Sequence, residues 1–227
     1  MITISITVRR FAVLSFLTLF AVLLSHPSFA GTQLWDFERN AEGWKVANGT
    51  WAVEDGVYKL SRGGQAEHSL VGEEDWDNYT IEAKVRLDEH HWAGLVFRAK
   101  SEMEYYVYYM NVPNNKTELW RHKQGGWASR DNLAQIPAAG GVQIKNGEWY
   151  DMKVEVEGDT FKLYINDEFQ KENSDGVYKT GQVGVWAWQT AASFDDFTVS
   201  GRDIEDTLDV DPNRKLTTTW GRLKELR

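Results

Sequence analysis

The sequence predicts an all-β chain, folded as a sandwich or a barrel. Three observations carry this. Apolar and polar residues alternate with period two through most of residues 34–200, as in strands with one dry face. Turn signals rich in Gly, Asn and Asp punctuate the runs. No segment of that stretch shows the 3.6-residue period of an amphipathic helix.

The elements follow in order. Runs at 34–38, 50–54, 57–61 and 67–71 are separated by turns such as Asp55-Gly56 and Gly63-Gly64. Residues 79–87 form the clearest strand: Tyr79, Ile81, Ala83, Val85 and Leu87 are apolar, and the residues between them are polar. Runs at 92–100, 104–112, 117–122 and 127–134 come next, broken by Pro113-Asn114-Asn115 and Gly125-Gly126. Met152, Val154 and Val156 alternate with polar residues, as do Phe161, Leu163 and Ile165, with Glu157-Gly158-Asp159-Thr160 between them. That pattern predicts a hairpin. Runs at 168–172, 182–188 and 194–199 complete the set.

The ends read differently. Arg9 and Arg10 precede an almost wholly apolar stretch, Phe11 to Leu24, and then Pro27 and Ser28-Phe29-Ala30 before Gly31. This is the layout of a secretory signal peptide over residues 1–30, and the run is short for a membrane span. The chain is therefore expected to be secreted, extracellular or periplasmic, with no stable membrane anchor after cleavage. The domain is expected over 31–201 and a tail over 202–227. In that tail Trp220, Leu223 and Leu226 could line one face of a short helix. It reads either as a frayed end or as a peptide that docks a protein partner.

The formal net charge is −9. This argues against a nucleic-acid partner, which needs a basic footprint. The chain has no Cys, which excludes a disulfide framework, a Cys-ligated zinc and a Cys nucleophile. No Gly-x-Ser-x-Gly elbow is present. His90 and His91 are adjacent, so on a strand they face opposite sides and do not chelate one ion.

Several stretches together resemble a known superfamily. They are Trp44 to Tyr58, Trp92-Ala93-Gly94-Leu95-Val96-Phe97-Arg98-Ala99 with Tyr105-Tyr106-Val107, and Gly147-Glu148-Trp149-Tyr150-Asp151. The last are Gly181-Gln182-Val183-Gly184-Val185-Trp186 and Phe194-Asp195-Asp196-Phe197. Their order and spacing are similar to the concanavalin A-like lectin/glucanase superfamily, near its laminin-G-like and 3-keto-disaccharide hydrolase domain families. The resemblance implies a jelly-roll β-sandwich of two curved antiparallel sheets, with a concave sheet that often binds glycans. It also departs from the hydrolase pattern: Leu34-Trp35-Asp36-Phe37-Glu38 stands for a Leu-Phe-Asn-Gly opening, and Trp92-Ala93-Gly94 for an Asn-Ser-Gly. The Glu-x-Asp-x-x-Glu strand of the glucanases has no match, since Glu73-Glu74-Asp75-Trp76-Asp77-Asn78 ends in Asn.

The aromatic content, with 11 Trp, is the most informative chemical feature. If odd-numbered residues fill the core, then Arg98, Tyr106, Tyr108, Trp186 and Trp188 share the other face. Rings that stack on a sugar and an Arg that fixes its hydroxyls are what carbohydrate recognition uses. Trp51 and Trp149 are expected in the core. Trp120 and Trp127 flank a hairpin tip that either walls the cleft or is plain surface. The resemblance further implies that the first and last strands pair. Asp36 and Glu38 with Asp195 and Asp196 would then be candidates for a structural calcium ion. The reading is an exported, non-catalytic carbohydrate-recognising domain. The alternatives are a glycoside hydrolase of the 3-keto-disaccharide hydrolase type, which needs a carboxylic acid of raised pKa among the aromatics, and a laminin-G-like protein-binding domain.

Overall fold

A computed structural model describes residues 31–207 apart from 126 and 127. The signal-peptide segment, Trp127 and the tail residues Trp220, Leu223 and Leu226 lie outside the described residues. Two antiparallel sheets pack face to face. The first contains β1 (Gly31–Trp35), β3 (Trp51–Glu54), β4 (Val57–Leu60), β6 (Tyr79–Leu87), β11 (Trp149–Glu157), β12 (Thr160–Ile165), β13 (Glu168–Ser174) and β15 (Ala192–Gly201). The second contains β2 (Lys45–Val46), β5 (Glu67–Val71), β7 (Trp92–Ser101), β8 (Glu104–Asn111), β9 (Lys116–His122), β10 (Arg130–Pro137) and β14 (Gln182–Trp188). Strand order is β13-β12-β11-β6-β15-β4-β3 in the eight-stranded sheet, with β1 on β15, and β10-β9-β8-β7-β14-β5-β2 in the seven-stranded sheet. No α-helix is found among the described residues.

The alternation sets this arrangement. In β6 every odd residue is buried against the opposite sheet, while the even residues face outward. The predicted hairpin forms with Glu157 opposite Thr160, so Met152, Val154 and Val156 share the core face with Ile165, Leu163 and Phe161. The first strand pairs with the last, Gly31 opposite Gly201 through Trp35 opposite Phe197. Strand β1 ends earlier than the sequence predicts, because Phe37 adopts a φ of 50° and turns its ring into the core.

Trp149 corrects the sequence reading. It pairs with Arg86 on the outer face and is 37% exposed, whereas Tyr150, Met152 and Val154 point inward. Its position is out of phase with the apolar run that follows it. Trp51 is half-buried, packs against the core cluster and stacks on Tyr58 at 5.1 Å.

Candidate functional site

The face of the seven-stranded sheet that looks away from the core is lined with rings. Cross-strand partners lie on the same face of a sheet. His68 pairs with Trp186, Trp188 with Trp92, Gly94 with Tyr109, Tyr105 with His122, and Val107 with Trp120. The rings form a continuous band. His68 lies 4.9 Å from Tyr105, Tyr105 stacks on His122 at 4.6 Å, and His122 meets Trp186 at 6.3 Å. Trp186 stacks on Tyr109 at 5.0 Å, and Trp92 completes the band against Tyr109 and Trp188, 5.7 Å from each. Gly94 makes room: a Cβ there would overlap the Tyr108 carbonyl oxygen and the Tyr109 Cα.

This face is separate from the main core. Ala66, Leu70, Val96, Ala99, Tyr105, Val107, Tyr109, Trp186 and Trp188 form a second buried cluster, with Trp92 and Trp120 half-buried against it. The guanidinium of Arg130 lies over both Trp120, at 4.8 Å, and Trp188, at 5.3 Å. Such contacts are worth about 0.5–2 kcal/mol each. Trp92 Nε1 is buried without a hydrogen-bond partner. At one end of the band a cavity of about 290 Å³ is lined by residues including His68, Met103, Tyr105 and His122.

Glu118 sits within this aromatic face and is 4% exposed. Its Oε2 accepts from the Tyr109 hydroxyl at 3.0 Å and from Trp120 Nε1 at 2.8 Å. Its Oε1 accepts from Asn111 Nδ2 at 2.7 Å and from Lys116 Nζ at 3.0 Å. Burial alone would raise its pKa, but the four donors outweigh it and hold the carboxyl below its ordinary value. The two histidines are shifted the other way. Burial lowers the pKa of His68, and burial with the nearby Arg130 and His68 charges pushes His122 down to about 3. His122 is therefore neutral at pH 7.

The five residues selected from sequence separate into three groups. Trp186 and Trp188 lie on the ring face. Trp186 is 1% exposed, so it forms the floor of the band, and half-buried Trp92 and Trp120 carry its more accessible ring surface. Tyr106 and Tyr108 are corrected: both point into the main core. The odd, core-facing Leu95 and Phe97 stand opposite Tyr108 and Tyr106, so parity reverses between β7 and β8. The Tyr106 hydroxyl donates to Asp175 Oδ1 at 2.5 Å, and burial together with that carboxylate pushes its pKa up to about 12.

Arg98 is the third case. Pairing of β7 with β8 is interrupted after Phe97, and Arg98 takes a φ of 49°. Its guanidinium turns to one end of the sandwich. There Nη1 donates to the Tyr178 carbonyl at 3.1 Å, and Nη2 to those of Asp77 at 3.0 Å and Gly158 at 2.5 Å. It ties three loops together and is 1% exposed, away from the ring face.

The calcium candidates do not assemble a ligand set. Asp36 and Glu38 follow β1 and do not lie on it, and Asp36 Oδ1 accepts the backbone N–H of Glu38 at 3.2 Å. Asp196 Oδ2 is held by Lys84 Nζ at 2.6 Å, and Asp195 Oδ1 accepts the Asp196 N–H at 2.8 Å. Among the described residues no group of three or more His, Asp or Glu is arranged to hold a metal ion. His90 and His91 fall on the bend before β7.

The sequence does not single out Glu118 and His122, which the structure places on the ring face. The available signal is a Glu two residues before a Trp, with a His two residues after it, on one face of the strand Thr117-Glu118-Leu119-Trp120-Arg121-His122. A buried acid in such a strand needs several donors, and their identity depends on β8, which sequence does not align.

Two packed antiparallel sheets, with the first strand on the last and a ring-lined outer face, define a concanavalin A-like jelly roll. The solved carbohydrate binding module CBM66 from Bacillus subtilis superposes with a TM-score of 0.63 at 23% identity, covering 70% of this chain and 96% of the module. The catalytic domain of an endo-1,3-beta-glucanase (laminarinase) from Thermotoga petrophila RKU-1 superposes with a TM-score of 0.56 at 10% identity, covering 78% of this chain and all of that domain. More particularly, residues 30–200 match the 3-keto-alpha-glucoside-1,2-lyase-like domain model, and the chain belongs to that family. A levanase of Bacillus subtilis (strain 168) is 25% identical over 166 residues, 71% of this chain. The matched region makes up 23% of the levanase, so this chain aligns with about a quarter of that enzyme.

Proposed function

We propose that this chain is an exported carbohydrate-binding module whose ring-lined face takes a neutral polysaccharide. The observation that carries the reading is the continuous ring band on the outer face of the seven-stranded sheet, bordered by half-buried Trp92 and Trp120. Trp92 and Trp120, which keep part of their ring surface accessible, offer flat apolar surface to the C–H face of a sugar. The acidic net charge favours a neutral ligand over a polyanion. The likeness to CBM66 and to part of a levanase supports a module and makes fructans the first ligands to try. The basic pair and apolar run before Gly31 support export.

The family match supports a second reading, an enzyme acting on 3-keto-glucosides. The distribution of carboxylates favours the module. The acid within the ring face, Glu118, is held ionised by four donors, which unsuits it to give up a proton. The carboxyls that burial shifts upward, Glu82, Asp151 and Asp195, lie on the outer face of the other sheet.

Calorimetric titration of residues 31–227 with levan, inulin, laminarin and xylan tests the proposal. Saturable binding to levan or another of the four, with no release of reducing sugar, is expected. Absence of binding across the panel together with turnover of a 3-keto-disaccharide would replace it with the enzyme.

A further inference from the structure

Glu118 poses a question that the fold alone does not answer. A buried carboxylate costs several kcal/mol to desolvate, and an apolar residue of similar size commonly serves a sheet as well or better. Here the charge is kept, and Tyr109 and Trp120, two rings of the sugar face, direct their polar ends at one oxygen, Oε2. The other oxygen is filled by Asn111 and Lys116. An ionised carboxylate has about four acceptor sites. All four are in use, so Glu118 has no capacity left for a ligand hydroxyl.

We propose that Glu118 is a positioning residue for sugar recognition, fixing the tilt of Trp120 and Tyr109 so that the ring band presents one geometry to its ligand. The inference rests on the reading of this face as the binding face. Trp120 is half-buried at the margin of the second cluster, so packing alone restrains it less than it restrains Trp186. Two contacts set its plane: the indole N–H on Glu118, and the Arg130 guanidinium on its face at 4.8 Å. Tyr109 stands between Trp92 and Trp186, so its anchored hydroxyl fixes the centre of the band as well. Replacing the carboxylate by an amide turns one of its two oxygens into an N–H group facing two of the four donors, so the arrangement that holds Trp120 and Tyr109 is lost.

A double-mutant cycle on binding, with E118Q and W120F, distinguishes positioning from mere structure. The ligand is whichever of levan, inulin, laminarin and xylan binds the wild type. E118Q is expected to weaken binding about tenfold per folded molecule, the scale of one lost hydrogen bond to a charged group. In the E118Q background W120F should have a markedly smaller effect than in the wild type. Additive effects, or unchanged affinity once the folded fraction is accounted for, would overturn the inference.

Should E118Q fail to fold, K116M keeps the carboxylate and removes its cation. The charged and titratable neighbours of Glu118 are Lys116 on β9, Tyr109 on β8 and, across Trp120, Arg130 on β10. Affinity of K116M should fall more steeply than that of the wild type as pH drops from 7 to 4. Identical pH profiles would overturn it. A wild type that binds none of the four polymers defeats the reading of the face, whereas a binding wild type with an additive cycle defeats this inference alone.

Discussion

The two outer faces of the sandwich solve the same problem in opposite ways. On the eight-stranded sheet, Lys59 pairs with Asp55 at 3.2 Å, Lys84 with Asp196 at 2.6 Å, and Lys153 with Asp167 at 3.4 Å. The exposed ring of Trp149 is covered on one side by Arg86 at 4.7 Å. Each of these lysines finds a carboxylate within the protein. On the seven-stranded sheet the outward face carries large rings, nearly all of them buried, and Trp92 Nε1 has no hydrogen-bond partner. The packed ring surface ends in half-buried Trp92 and Trp120, the part of it on which the proposed sugar binding rests.

The contrast predicts effects of different size. The largest is in the ring band. Trp186→Ala removes a fully buried ring that Tyr109 stacks upon, and it should lower unfolding free energy by about 3–5 kcal/mol. Urea denaturation measures it. A loss below about 1 kcal/mol would mean the ring face is not a packed layer.

Acidification separates the faces by sign. His122 has a folded pKa of about 3 against an ordinary value of 6.5, so the unfolded chain binds its proton first as pH falls. Its contribution is intact above pH 6.5 and is lost progressively down to about pH 3, amounting to about 2 kcal/mol at pH 5. Glu82, Asp151 and Asp195 on the other face have raised pKa values. They bind protons more readily folded than unfolded, so they act in the opposite direction over their own range. The difference between wild type and His122→Phe, which keeps a ring against Tyr105, isolates the histidine. The variant should show a shallower loss of stability between pH 7 and 5, and equal slopes would contradict the assignment.

The smallest effect is expected on the charged face. Lys84→Ala breaks an ion pair whose two side chains are each nearly half exposed, so stability should change by less than about 1 kcal/mol. A larger loss would show that the pairs of that face are more than surface contacts.

The fold was legible because β6, β11 and β12 alternate apolar and polar residues cleanly, and each alternation resolves one face from the other. The site was only half legible, and for the same physical reason. In Tyr105-Tyr106-Val107-Tyr108-Tyr109 both faces of the strand are apolar and buried, so the period gives no phase. The phase comes from the pairing of Phe97 with Tyr106, which is a property of two strands. Trp186 and Trp188 were placed on the correct face because Val183, Val185 and Ala187 between glycine and tryptophan marked the core side. Arg98 followed the alternation in sequence, but the break in pairing turned it away. Trp149 carried a readable signal, since it is out of phase with Met152 and Val154, and its size obscured that signal.

Sugar binding is proposed for the ring face and not for the charged face. The direct measurement is calorimetric affinity for the bound polysaccharide in Trp92→Ala and Trp149→Ala, two half-exposed tryptophans on opposite faces. Trp92→Ala should weaken binding at least tenfold, and Trp149→Ala should leave it unchanged. Loss of binding in Trp149→Ala with Trp92→Ala unaffected would contradict the assignment and move the site to the eight-stranded sheet.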